Sequence, residues 1–205
     1  MQFKINKTII EHLINKDERF NRLVNDLGAI ELSESNDVFQ SLVKSVIFQQ
    51  LNGKAARTIY HRFLGLYQTI PSPKDVLSTE SKILRDVGLS NRKCEYVRGI
   101  SLFFYNNPLT TNDFRKLDES EVASILLKIR GIGQWTVDMF LIFTLNHLDV
   151  LPMSDLGIKK GCAKLCKLNS LPSDGFLLEQ AKKWIPYRSV AALYLWKIVD
   201  EDFMW

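Results

Sequence analysis

The chain has 205 residues, with Lys plus Arg at 27 against Asp plus Glu at 23, for a formal net charge of +4. Hydrophobic residues at 46% and charged residues at 24% exclude a disordered tail or a collagen-like chain and fit one folded domain, or two small lobes sharing a core. The charge permits a polyanionic partner without requiring one. The three cysteines (Cys94, Cys162, Cys166) cannot make a full disulfide framework and suit a reducing compartment. The N-terminal stretch lacks the apolar core and cleavage site of a signal peptide, and no apolar run approaches the ~20 residues that cross a bilayer. The expectation is a soluble intracellular protein with no membrane partner.

The periodicity is helical almost throughout. From Asp37 to Gln50, Val38, Leu42 and Val46 run beside Phe39, Val43 and Ile47, a broad apolar face that predicts a helix at the centre of a core. Asn52-Gly53 breaks the pattern, and Lys54 to Leu66 restarts it through Ala55, Ile59 and Phe63. The TIPSPKD segment, with Pro71 and Pro73, reads as a loop. A short helix over about 78–86 follows, with Gly88 as a left-handed cap. Ser90 is a good N-cap for a helix whose inner face is Cys94, Val97, Ile100 and Phe104. Asn106-Asn107-Pro108 ends it. Further helices are predicted at roughly 119–128, 134–146, 155–166, 174–184 and 187–199. No period-two run is long enough to propose a sheet. The fold class is therefore all-α, with about ten helices in two lobes, approximately 37–105 and 1–36 plus 106–205.

The segment from Ile125 to Lys160 carries the chemistry. It reads as a helix, the turn Arg130-Gly131-Ile132-Gly133, and a second helix from Gln134. Two glycines around one aliphatic residue let the chain reverse tightly, with Ile132 anchored in the core. The turn leaves amides of Gly131, Gly133 and their neighbours unpaired at a helix start, which suits a phosphate oxygen. Lys128 and Arg130 add positive charge beside them. Taken alone, the same pattern also describes a plain corner between two helices.

Four ordered motifs extend the reading across about 150 residues. Leu126-Leu127-Lys128-Ile129-Arg130-Gly131-Ile132-Gly133, followed by Asp155 in Leu151-Pro152-Met153-Ser154-Asp155, resembles the hairpin and aspartate of the helix-hairpin-helix DNA glycosylases. Gly133-Gln134-Trp135-Thr136 is similar to the G-x-W-T of the DNA-3-methyladenine glycosylase II branch. Ile47-Phe48-Gln49-Gln50-Leu51 with Lys54-Ala55-Ala56, then Gly88-Leu89-Ser90-Asn91-Arg92-Lys93, and then Trp184-Ile185-Pro186-Tyr187-Arg188-Ser189 resemble three further motifs of that branch.

The resemblance implies two helical lobes with the active-site cleft between them. It implies a base-excision enzyme that flips 3-methyladenine or 7-methylguanine from double-stranded DNA and hydrolyses the N-glycosidic bond. Asp155 is the implied catalytic carboxylate, although read alone it also suits a helix N-cap. Asp138 matches no family acid. Trp135 and Tyr187 are the implied walls of the base pocket, each with a packing role as the alternative, while Trp184 and Trp196 read as core. Leu51 is the implied inserting residue, with Gln50 or Asn52 able to share the task. Arg130, Gly131, Ile132, Gly133, Gln134 and Lys128 form the implied phosphate grip. The backbone carbonyls of Ile129 and Ile132 are the implied holders of a monovalent cation, Na+ or K+. Lys159 and Lys160 read equally as phosphate contacts or a solvated face.

The departures are informative too. Bifunctional relatives carry a lysine where this chain has Gln134, so no lyase activity is implied. An iron–sulfur cluster needs four cysteines and this chain has three, so none is implied, and no cofactor is required. With only about 36 residues before the first matching helix, the N-terminal sheet domain of larger bacterial relatives is expected to be absent. A monomer is expected, in the cytoplasm or nucleoid of a bacterium or the nucleus of a eukaryote. The alternatives are a glycosylase for other damaged bases, a non-catalytic DNA-binding module built on the same hairpin, or a helical protein-interaction domain. The last leaves the four motifs unexplained.

Overall fold

The computed structural model describes residues 2–28, 30–33, 37–51 and 53–200. In chain order the elements are β1 (Gln2–Lys4), α1 (Lys7–Lys16), α2 (Arg19–Leu27), β2 (Glu31–Ser33), α3 (Val38–Phe48) and α4 (Gly53–Leu64). Then come α5 (Pro73–Ser78), α6 (Ser81–Asp86), α7 (Asn91–Asn106), α8 (Thr111–Phe114), α9 (Glu119–Leu126) and α10 (Gln134–Phe143). The chain ends with α11 (Leu156–Leu165), α12 (Asp174–Lys182) and α13 (Arg188–Lys197). The all-α reading stands, with one small addition. β1 and β2 pair antiparallel with Phe3 opposite Leu32. Three residues per strand are too few to show an alternating pattern.

Two compact units result: a terminal unit, Met1–Glu34 with Leu141–Trp205, and a middle unit, Ser35–Phe140. The lobe boundary expected near 105 therefore moves to 140. The residues between are bound to the middle unit by their side chains. Gln49 donates to the Gly131 carbonyl at 3.1 Å and to Thr136 Oγ1 at 2.9 Å, and Glu95 pairs with Arg130 at 3.0 Å.

The middle unit is built around α3, in which every residue but Lys44 is buried. Asp37 caps it by accepting from the Gln40 amide. Burial, helped by the charge of Arg57, pulls the Lys44 ammonium down to about 8. The helix α7 begins at its Ser90 cap and buries Cys94, Val97, Ile100 and Phe104 as the spacing predicts. Gly88 adopts φ +109, as a left-handed cap requires. One departure is α5, which occupies the segment read as a loop. Pro73 stands at its start, and Ser72 and Asp75 form a reciprocal capping box, so the proline pre-shapes the first turn instead of breaking it. The four-residue α8 begins with a second such box from Thr110 and Asp113.

The terminal unit is built around α13, buried from Ser189 to Trp196. Gly161 of α11 lies against the Leu195 backbone so closely that a Cβ there would collide with it. A polar cluster centred on the buried Asp17 belongs to the same unit. Asp17 takes Arg19 in a two-pronged pair at 2.7 and 2.6 Å and the Trp184 indole N–H at 3.1 Å. Arg19 also donates to Gln180 Oε1 at 2.7 Å and to Cys166 Sγ at 2.9 Å. Burial pushes the Asp17 carboxyl up, but the hydrogen bonds from Arg19 and Trp184 and the charge of Arg19 outweigh it and hold it below its usual range.

The stability that Asp17 contributes is therefore present above its ordinary value of 3.8 and is lost as the pH falls through the lower folded value. Asp17→Ala is expected to cost about 3 kcal/mol at neutral pH, because it strands Arg19 and the indole. The variant should also lose this acid-dependent component. Urea unfolding of both proteins between pH 7 and pH 3 checks both.

Candidate active site

In the middle unit α9 and α10 form a hairpin whose turn is fixed from both sides. Ile129 and Ile132 are buried at 4% and 6% exposure, so the aliphatic residue between the glycines is the anchor the sequence predicts. Gly131 has φ +96, and a Cβ there would run into the Tyr96 ring. Only glycine satisfies both conditions. Gly133 is exposed, with nothing within 4 Å of where its Cβ would stand. Its carbonyl opens α10 by accepting from the Thr136 and Val137 amides at 2.9 and 3.1 Å. Among the described residues no acceptor meets the amides of Gly131, Gly133 or Gln134. They stand at a helix N-terminus, which favours an anion.

Around this turn Lys128 and Arg130 are exposed. Arg130 pairs with Glu95 at 3.0 Å, an exposed contact worth little in water. The Gln134 side chain donates to Asp138 Oδ1 at 2.8 Å, one turn along α10. Asp138 is itself buried at 6% exposure. Trp135 is half-buried on the first turn of α10.

The turn after α3 is joined to the hairpin through Gln49. Its amide donates to the Gly131 carbonyl at 3.1 Å and to Thr136 Oγ1 at 2.9 Å. Gln50 follows at φ +56, and Leu51 stands 40% exposed, so it is no core residue. Asn52 lies outside the described residues.

In the terminal unit Asp155 is half-buried and is the N-cap of α11. Its Oδ1 accepts from the Ile158 amide at 2.9 Å and from the Trp196 indole at 2.8 Å. Trp196, which reads as core in the sequence, is thus a partner of the candidate carboxylate as well as a buried ring against Phe143. Gly157 makes room for the pair. A Cβ there would stand 2.8 Å from Trp196 Cδ1 and 2.9 Å from Asp155 Oδ1. No spacing rule couples positions 155 and 196. A glycine in the first turn of α11 was the one local clue to a close neighbour.

Tyr187 is the N-cap residue of α13, half-buried and edge-on to His12 at 5.1 Å. Trp196 is nine residues further along the same helix, about 13 Å by helical rise. The rest of that motif is structural. Arg188 grips Asp149 through Nε and Nη2 at 2.8 and 3.0 Å. The Ser189 hydroxyl takes the Val150 amide at 2.9 Å. Both hold the strand of chain that leads to Asp155. Lys159 pairs with Asp174 at 2.7 Å. Among the described residues, no three His, Cys, Asp or Glu side chains could hold a metal together.

A family model described as HhH-GPD superfamily base excision DNA repair protein matches residues 43–187. The chain belongs to this superfamily. DNA-3-methyladenine glycosylase 1 of Schizosaccharomyces pombe is 34% identical over 192 residues, covering 91% of this chain and 84% of that protein. The DNA-3-methyladenine glycosylase of Saccharomyces cerevisiae is 30% identical, covering 95% and 71%. The structure of the S. pombe 3-methyladenine DNA glycosylase in complex with abasic DNA superposes with a TM-score of 0.90 at 32% identity, over 97% of this chain and all of the other. The HhH-GPD match takes in the Leu51 turn, the hairpin, Asp155 and Tyr187, and it stops short of Trp196.

Gly157→Ala is expected to destabilise the protein by about 1–3 kcal/mol by forcing Asp155 and Trp196 apart. Gly133→Ala should change stability by less than about 1 kcal/mol, since its site is open. Thermal melts of the two variants check the contrast.

Proposed function

We propose that the protein is a monofunctional DNA glycosylase that flips alkylated purines, 3-methyladenine and 7-methylguanine, out of double-stranded DNA and hydrolyses the N-glycosidic bond to leave an abasic site. The observation that carries this reading is the Asp155 carboxylate. It is half-buried, with two donors converging on Oδ1 in a chain of the HhH-GPD superfamily. Relatives of high coverage named DNA-3-methyladenine glycosylase support the substrate class.

The chemistry follows from the charge distribution. Alkylation at N3 or N7 makes the purine cationic and a good leaving group. As the bond to C1′ breaks, positive charge builds on the sugar, and a fixed carboxylate stabilises it and orients the attacking water. Trp135 and Tyr187 offer electron-rich faces to the cationic base, each worth ~0.5–2 kcal/mol. Gln134 has no amine with which to form a Schiff base, so the sugar is left intact.

Flipping the nucleotide costs roughly a few kcal/mol. Leu51 fills the gap, with Gln50 beside it. The amides of Gly131, Gly133 and Gln134 grip a phosphate, with Lys128 and Arg130 close by and Ile132 holding the turn. A monovalent cation suits the same hairpin. The Ile129 carbonyl accepts one hydrogen bond, from the Ile132 amide, and keeps a second lone pair. Among the described residues no donor meets the Ile132 carbonyl. Such an ion would add positive charge beside the phosphate. The protein acts as a monomer on chromosomal DNA, in the nucleoid or the nucleus.

Asp155→Asn is expected to abolish release of 3-methyladenine and 7-methylguanine from methylated duplex DNA, without added metal, while affinity for an abasic duplex stays within about threefold. Its amide oxygen can still cap α11, so the fold should survive. A wild type that binds DNA but releases no base would make it a non-catalytic binding module. Gly133→Trp is expected to weaken binding at every sequence, and wild-type affinity to fall steeply with salt. Titrations at two salt concentrations check both.

A further inference from the structure

The G-L-S-x-R-K segment matches the family pattern, yet the proposed reaction assigns it no role. Its last residue, Lys93, is half-buried in the first turn of α7. Its backbone amide is held there by the Ser90 hydroxyl at 3.2 Å. The ammonium leaves its own helix and donates to two carbonyls at the end of α3: Ile47 at 2.7 Å and Gln49 at 2.9 Å.

These bonds complete the terminus of α3. A helix ends with carbonyls that have no partner in the helix, and it carries partial negative charge there. The Gln49 amide reaches back to the Ser45 and Val46 carbonyls, and the Leu51 amide meets the Phe48 carbonyl at 3.3 Å. Ile47 and Gln49 remain, and Lys93 takes both. Burial lowers the Lys93 pKa from its usual range, and the two carbonyls with the negative helix end offset that cost.

The chain then turns sharply. Gln50 sits in the left-handed region at φ +56, which a residue with a side chain adopts only when its surroundings enforce it. The enforcement comes from both sides. Lys93 holds the carbonyls before the turn, and the Gln49 side chain ties it to Gly131 and Thr136 of the hairpin. Leu51, projecting from this turn, thus shares one hydrogen-bonded frame with the amides proposed to grip phosphate.

We propose that Lys93 is a positioning residue for base flipping: its ammonium clamps the end of α3 so that Leu51 enters the duplex at a fixed distance from the phosphate-gripping hairpin. The inference rests on the proposed reading of Leu51 as the inserting side chain. Lys93 touches neither the base nor the sugar. It acts through the turn.

The test compares wild type, Lys93→Met, Leu51→Ala and the double variant, with Asp155→Asn as a reference. Two signals are read at saturating protein. One is single-turnover release of 7-methylguanine from methylated duplex. The other is the fluorescence rise of 2-aminopurine placed beside an abasic-site analogue, which reports unstacking. Each single variant is expected to lower both signals by roughly tenfold. The double variant is expected to be no worse than Leu51→Ala alone. Asp155→Asn should lose release and keep the fluorescence rise. Lys93→Arg, which keeps a cation and its donors, is expected to recover most of the signal and guards against a Met variant that fails to fold.

Three results would overturn the inference. Lys93→Met could match wild type in fluorescence. It could cost the same factor in the Leu51→Ala background, as a general loosening of the fold would. Or Leu51→Ala could leave the fluorescence rise intact. A wild type that raises fluorescence but releases no base would instead sink the glycosylase reading, and the fluorescence pattern of the four proteins would still decide the role of Lys93.

Discussion

One carboxylate oxygen organises the terminal unit. Asp155 Oδ1 receives the amide of Ile158, the third residue of α11, and the indole of Trp196, which leaves Oδ2 as the oxygen outside these two bonds. Two donors from different helices fix the carboxylate in direction as well as place. The arrangement requires α11 and α13 to lie unusually close, and the sequence permits that at two points. Gly157 admits the indole, and Gly161 admits the Leu195 backbone. Arg188 and Ser189 then hold the incoming chain, while Asp17 takes the Trp184 indole just before α13 begins. A helix cap, normally a local device worth ~1 kcal/mol, here becomes the fixed point to which long-range contacts refer.

The middle unit uses the same economy with carbonyls. The Gly131 amide has no acceptor among the described residues and its carbonyl goes to Gln49, so the donors of the hairpin are steadied from behind. Thr136 serves through its hydroxyl without leaving α10. The tandem glutamines therefore divide their work. Gln49 points its amide inward and binds the hairpin, and Gln50 absorbs the backbone reversal. Proposed phosphate grip and proposed wedge are parts of one frame, which is what distortion of a stiff duplex at a single nucleotide demands.

Much of this was legible in the chain. Period located α3, α7 and α9, which carry clean apolar faces, and for α7 the Ser90 cap was readable as well. The hairpin was legible because glycine at positive φ has few substitutes. Short elements were not. The helix α5 hides behind prolines that look like punctuation, and β1 with β2 is too brief to alternate. Lobe assignment failed past residue 105 because it depends on contacts such as Gln49 with Gly131, which no local pattern encodes. Trp196 was missed for the same reason. A buried indole in an apolar helix looks like packing until its N–H partner, some forty residues upstream, is seen.

The contact between Gln134 and Asp138 bears on how the two chemistries of this superfamily are separated. A lysine placed at 134 would stand one turn from a carboxylate at 6% exposure. An anion at that distance favours the ammonium form, whereas attack on a sugar carbon needs the neutral amine. Exchanging one side chain would thus deliver the nucleophile in its unreactive state.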